Sequence, residues 1–372
     1  MNNNWLSDLK INLPLFLKEQ RKDNGFTFYP VKNGLTKYGK NVELGMSCYA
    51  IKIFFITNLW NNLEKKEQDD WVNFINSFQS TDKNFPIHSY IDQAYLREMK
   101  KFSLNKFFKN FIKRILNNLG RSNYTLLDDY LQNSIKAESK QAISSIYQVG
   151  YKNQKIYSEF PKNKKDINDY LSSLNWENPW DAGAQFSNLC FFVQTQITNQ
   201  NEKDEIRSNL EEFILTIHDS KTGAYFVGEP NDDNEIINGA MKIITGFDWL
   251  DISIHSPEKL IDFCLDSKMR YEGCDIVDII YVLFRCYKNT NHRRKDIEHY
   301  FEKILKIIKD NYFPNGGFSY FKNKSQTHYY GSKISNGFNE PDLHGTLLLV
   351  WAIALISNIL ELPTSDWKII KP

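Results

Sequence analysis

This sequence predicts an all-α fold with its helices in two layers, and three observations carry the expectation. Helical periodicity dominates, while alternating strand patterns are confined to fragments such as GFTFYP and GAYFVG. Two kinds of helical segment alternate along the chain, one apolar nearly all round and one striped. Between them a glycine-aromatic motif recurs, as DNGFTFYP from residue 23, TGAYFVGEP from 222 and NGGFSYF from 315.

Taken in order, GMSCYAIKIFFITNLW is apolar on every face and must be covered on every side. EKKEQDDWVNFINSF, which follows, has one apolar stripe and one face for water. DAGAQFSNLCFFVQTQI is again of the covered kind, and DEIRSNLEEFILTIH of the striped kind. The alternation continues with EIINGAMKIITGFDWL against SPEKLIDFCLDS, then CDIVDIIYVLFRCY against RRKDIEHYFEKILKIIKDNY, and ends on LHGTLLLVWAIALISNIL. Covered helices form an inner layer and striped helices an outer one, with glycine letting the chain reverse between them.

Composition narrows the class. The 372 residues carry 46 Lys plus Arg against 45 Asp plus Glu, a formal net charge of +1, so no global field favours nucleic acid. Aromatic residues reach 15%, enough for a thick core or a cavity lined with flat surfaces. Cys48, Cys190, Cys264, Cys274 and Cys286 form no CxxC pair and read as reduced core residues of a cytoplasmic protein. MNNNWLSDLKINLPLF lacks a basic region followed by an apolar run, so no secretory signal is expected. The stretch 343–360 has the length of a membrane span but follows Glu340 and Asp342 and begins beside His344, and is read as a buried helix. No linker rich in Gly, Ser or Pro divides the chain, which is expected to form a single domain over residues 1–372.

Alternating inner and outer helices, turns of the Gly316-Gly317-Phe318 type, and acids or histidine at inner-helix starts resemble the α/α toroid (barrel) of terpenoid cyclases and protein prenyltransferase β subunits. Related α/α barrels serve glycan lyases, unsaturated-glycan hydrolases and sugar epimerases. The resemblance covers roughly residues 170–360, counted by the repeat. It implies a scaffold and leaves the reaction open.

Such a ring brings the starts of its inner helices to one mouth. Trp180, Asp181 and Gln185 open one helix, Asn238 and Lys242 a second, Asp275 and Asp278 a third, and Asp342 and His344 a fourth. Asp181, Asp275 and Asp342 have a plain alternative as helix N-caps. Asp278 and His344 sit inside apolar helices, where an ionisable group needs a partner or a function. His328 and Tyr330, in QTHYYG, are expected on a loop above the pocket, placed for proton transfer at a sugar ring or merely sealing the ring. Tyr225, Phe318, Tyr320 and Trp180, with Glu229 in the second glycine-aromatic turn, are the expected substrate contacts; clamping of turns is the other role open to the aromatics.

No GxGxxG, GxxxxGK[ST], GxSxG or HExxH occurs, nor the DxDD or DDxxD of terpene enzymes. No cofactor and no metal site are expected. The leading expectation is an enzyme acting on a small-molecule or oligosaccharide substrate in surface-glycan biosynthesis or modification, by acid-base chemistry of a lyase, epimerase or hydrolase. An isoprenoid cyclase or transferase and a non-catalytic scaffold are the alternatives. The basic, phenylalanine-rich segment 99–121 is expected either on an anionic membrane surface or as an outer helix.

Overall fold

The computed structural model describes residues 4–23, 25–94, 96, 109–110, 112–115 and 126–372, so the basic segment 99–121 lies largely outside the described residues. In chain order the described helices are α1 (Asn4–Gln20), α2 (Leu44–Ile56), α3 (Lys65–Asn76), α4 (Leu127–Gln148), α5 (Lys164–Ser172), α6 (Pro179–Gln196), α7 (Gln200–Thr216), α8 (Asp233–Leu250), α9 (Pro257–Asp266), α10 (Asp275–Asn289), α11 (Arg294–Lys309) and α12 (Leu343–Leu360). A two-residue ladder, β1 (His328–Tyr329) and β2 (Ser332–Lys333), lies in the loop before α12.

The even-numbered helices form a closed ring. α2 packs on α4, α4 on α6, α6 on α8, α8 on α10, α10 on α12, and α12 returns to α2. The odd-numbered helices lie outside, as α9 and α11 do against α10 and α7 does against α6. This is an all-α toroid. Neighbouring inner helices run parallel: Asn238 meets Asp275 while Asp248 meets Tyr281 further along, and Gln141 reaches the Gly45 carbonyl while Ser145 reaches that of Cys48. Parallel order puts every inner N-terminus at one end.

The striped helices behave as their pattern requires. α11 buries Ile297, Phe301, Ile304, Leu305 and Ile308, which recur at three- and four-residue spacing on one face, and leaves its Lys and Glu residues outward. Each fully buried Ile, Leu or Phe contributes about 1.5–3 kcal/mol of transfer free energy. α12 is long and apolar enough to cross a membrane, yet it stands between α10 and α2 with nearly all its side chains inside the ring. α4 is the inner helix that the apolar pattern does not predict. Its covered face is small and polar, with Ser134, Glu138, Ser139, Ser144 and Ser145 buried beside Ile135, Ile143 and Ile146.

Close approach explains the glycines of the α6–α8 seam. A Cβ at Gly239 would lie 2.5 Å from the Pro179 Cβ, one at Gly183 3.0 Å from the Gly239 carbonyl oxygen, and one at Gly246 2.9 Å from the Cys190 sulfur. In NGGFSYF, Gly316 has φ +98° and lies against the backbone of Asn12 and Leu13, so the turn docks directly on α1.

At the end where the inner helices start, two distant loops interlock. Residues 28–36 pair with 334–342 through the bridges Val31 to Asp342 and Leu35 to Ser335. The Glu340 carboxylate accepts the amides of Asn33 (2.7 Å) and Gly34 (2.6 Å), and the Leu343 amide donates to the Pro30 carbonyl (3.0 Å). The start of α2 is capped from outside the helix by Asp92, whose carboxylate accepts the Glu43 and Leu44 amides at 2.8 and 3.0 Å. These contacts hold the first and last inner helices in register and so close the ring.

Candidate active site

At the centre of this end lies a ladder of rings. The His344 imidazole, on the first turn of α12, stacks on Tyr49 of α2 with centroids 4.5 Å apart and planes 1° from parallel. Its other side meets Tyr320 at 5.0 Å and 28°. Tyr49 meets Tyr329 edge-on at 6.2 Å, and Tyr329 packs against Tyr330 at 4.5 Å. Tyr330 then lines a cleft of about 500 Å³ between α4 and α6, together with Tyr130, Ser134, Asn178, Asp181 and Gln185. The aromatic ladder therefore runs from an open cleft to the middle of the ring.

Each member of the ladder is fixed by local structure. Tyr330 and Gly331, with φ of +41° and +76°, form the two-residue turn between β1 and β2, a geometry that demands positive φ at both positions. Tyr329 points inward and its hydroxyl donates to Glu138 of α4 (2.9 Å). Tyr320 is held by its backbone amide, which donates to Asp342 (2.7 Å), and its hydroxyl lies 3.1 Å from the Cys274 sulfur. A Cβ at Gly45 would overlap the Tyr329 phenol. Gly45→Ala is expected to cost about 1–3 kcal/mol by overpacking, measured by denaturant unfolding, because the phenol cannot retreat without giving up Glu138.

The ionisable groups around the ladder are displaced from their solution behaviour. Burial lowers the His344 pKa to about 3, helped by Lys242 and Lys52, so the imidazole is neutral. Its Nδ1 is buried and has no hydrogen-bond partner among the described residues. Burial raises Asp278 to about 6, with Lys242 pulling the other way, and the buried Asp278 Oδ2 has no hydrogen-bond partner among the described residues. Tyr49, Tyr320 and Tyr329 are pushed well above the ordinary phenol range by burial, so each is a proton donor at neutral pH. Lys140 falls to about 7 through burial and the nearby Lys242 and Lys52.

The expected site residues divide into groups. Asp278, His344, Lys242 and Tyr320 meet at the centre. Asp275 is in the wall, where one oxygen accepts from Asn238 (2.8 Å) and the other faces Arg270 (3.3 Å), so both residues are committed to each other. Asp342 is a buried cap: Gly345 donates to one oxygen at 2.7 Å, and Tyr320 and Gln326 to the other at 2.7 and 3.1 Å. Burial pushes the Asp342 pKa up while these amides pull it down.

Asp181 sits on the rim of the cleft, an exposed side chain bonded to Asn178 (3.2 Å), though the cleft walls push its pKa up by desolvation. Gln185 accepts from Tyr170 (3.0 Å) inside the same cleft, and Trp180 stands exposed beside it.

Three expectations are corrected, at His328, Tyr225 and Phe318. His328 is exposed and its ring meets its neighbour Thr327 (2.9 Å), because successive strand residues point to opposite faces and Tyr329 takes the inward one. Tyr225 is buried against Phe247 and His255, away from the ladder. Phe318 is buried against Tyr312, its amide donating to Thr346 (2.9 Å). Glu229 is exposed on the loop before α8.

Sequence reasoning passed over Tyr49, Lys52, Glu138, Lys140 and Tyr329. Lys52 carries a readable signal, a single lysine inside the otherwise apolar GMSCYAIKIFFI. Glu138 and Lys140 carry none, since they lie in a helix whose pattern looks solvated.

No protein-family model matches this chain, and no curated protein matches it. Among solved structures, a polysaccharide lyase aligns with 97% of this chain and 98% of its own, at 10% sequence identity and a TM-score of 0.42.

Proposed function

We propose that this toroid is a carbohydrate-active enzyme that moves a proton at a sugar ring, with His344 as the base. The observation that carries the reading is the neutral imidazole held face to face between Tyr49 and Tyr320. A base must be unprotonated before it can accept a proton, and burial leaves the His344 imidazole neutral at pH 7; a pKa of about 3 makes it a weak base until an anionic substrate offsets Lys242 and Lys52. Tyr320 and Tyr49 retain their phenolic protons at that pH and are the acids beside it. Flat rings leading in from the cleft suit the apolar faces of sugars.

Hydrolysis by two facing carboxylates is the less supported branch. It needs a pair of carboxyl groups free to act on opposite sides of the bond. Asp275 is committed to Asn238 and Arg270, and Asp342 to three amides, which leaves Asp278 as the open acid of the centre. Elimination or epimerisation needs one base and one acid, and the ladder supplies both.

The test is product chemistry. The protein is incubated with charged and neutral oligosaccharides and the products are read by ultraviolet absorbance, mass and deuterium uptake. Elimination gives an unsaturated sugar of unchanged total mass, and epimerisation gives deuterium at carbon without cleavage. Addition of water across a glycosidic bond would point to hydrolysis, and deuterium-free, unaltered sugars throughout would sink the reading.

A further inference from the structure

Three lysines share the centre with His344. Lys52 comes from α2, Lys140 from α4 and Lys242 from α8, so three different inner helices send an ammonium group into one interior. Lys52 is 8% exposed. Lys140 touches Ser187 of α6 (2.9 Å), and Lys242 rises beside Gly183, where only a glycine leaves room for its stem. Among the described residues none of the three forms an ion pair or bonds a carboxylate, whereas the surface lysines Lys65 and Lys66 each have one.

Buried unpaired cations are costly, and proteins ordinarily pair them or spread them out. Here the nearest acids do not settle the account of charge. Glu138 receives the Tyr329 hydroxyl, and Asp278, which feels the charge of Lys242, has a buried oxygen with no hydrogen-bond partner among the described residues. Burial lowers the proton affinity of Lys140, and the nearby Lys242 and Lys52 lower it further.

We propose that Lys52, Lys140 and Lys242 hold a tetrahedral oxyanion with three terminal oxygens, a phosphoryl or sulfate group carried by the carbohydrate substrate, beside His344. The inference rests on the carbohydrate reading and adds the charge class of its substrate. Three ammonium groups approaching from three helices match a group that accepts hydrogen bonds in several directions. A planar carboxylate offers two oxygens, one fewer than the three ammonium groups that approach. With the oxyanion seated, the sugar ring lies against the Tyr49–His344–Tyr320 stack.

The site is tested by isothermal titration and thermal unfolding with inorganic phosphate, inorganic sulfate, glucose 6-phosphate, glucose 6-sulfate and galacturonate, each against chloride at equal ionic strength. Wild type is expected to bind the phosphate and sulfate compounds and to melt higher in their presence. Lys52→Met, Lys140→Met and Lys242→Met each weaken this binding by about tenfold or more, the usual loss for one charge-assisted hydrogen bond. They also leave the melting temperature of the free protein unchanged or raised, since each removes a buried or half-buried cation that has no ion-pair partner among the described residues. Where a methionine variant does not fold, the Lys→Gln variant at that position replaces it.

Absence of any response to phosphate and sulfate would overturn the proposal. So would a response that survives all three substitutions, or galacturonate binding as tightly as the phosphate compounds. Oxyanion binding without turnover of any carbohydrate retires the catalytic reading and leaves the lysine site standing. Turnover of a neutral or carboxylated glycan, with no binding of phosphate or sulfate, does the reverse.

Discussion

Asp342→Ala loses about 3–5 kcal/mol of unfolding free energy, read from denaturant midpoints at constant slope. The carboxylate is 1% exposed and accepts three backbone amides, from Gly345, Tyr320 and Gln326. Alanine leaves the buried Gly345 amide and the part-buried Tyr320 and Gln326 amides without this acceptor, at up to about 1–3 kcal/mol each, and removes the cap of α12 as well. Two of those donors belong to the loop that carries Tyr320 and leads to Tyr329, so the damage spreads from the helix end to the aromatic ladder. A loss below about 1 kcal/mol, the worth of a surface cap alone, would show that the loop is held elsewhere. Asp342→Asn keeps one acceptor but turns an NH₂ toward an amide donor, and is expected to fall between wild type and alanine.

Asp342 also marks where the sequence stops being informative. Its role as a cap is legible, because an acid before an apolar helix is a common start signal. That the same carboxylate also ties down Tyr320 and Gln326 depends on a loop folding back over it, which no local pattern records. The inner layer is legible for α2, α6, α8, α10 and α12 because helices covered on every side are apolar on every side. α4 escapes the same logic because its covered face carries serines and Glu138. The ring nonetheless closes through it, which turns a partial repeat into a complete toroid.

The pair His328 and Tyr329 shows the same limit at finer scale. Both look equally placed in QTHYYG, and only the register of the β1–β2 ladder decides which one faces the core. The lysine cluster lies further out of reach, since its members are spread over about half of the chain's length and meet only when α8 and α2 both pack into one ring.

Substituting His344 by glutamine is expected to act on activity and on acid stability in opposite directions. Loss of a general base lowers turnover by about 10²–10⁴-fold. The stability effect follows from linkage. An unfolded histidine titrates near 6.5, and the folded His344 near 3, so the unfolded chain binds the extra proton between those limits. Wild type therefore loses stability as pH falls through 6.5 and goes on losing it until about 3. At pH 5 the penalty is about 2 kcal/mol, from 1.36 kcal/mol for each unit below 6.5.

Glutamine has nearly the same reach and does not titrate, so the stability of wild type relative to His344→Gln falls by about that amount between pH 7 and pH 5. Asp278 and Asp342, whose raised pKa values act in the opposite sense, are present in both proteins and cancel in the difference. Parallel urea titrations at the two pH values measure it directly. A difference independent of pH would mean that His344 is hydrated or paired in solution, and the neutral base required between Tyr49 and Tyr320 would then be gone with it.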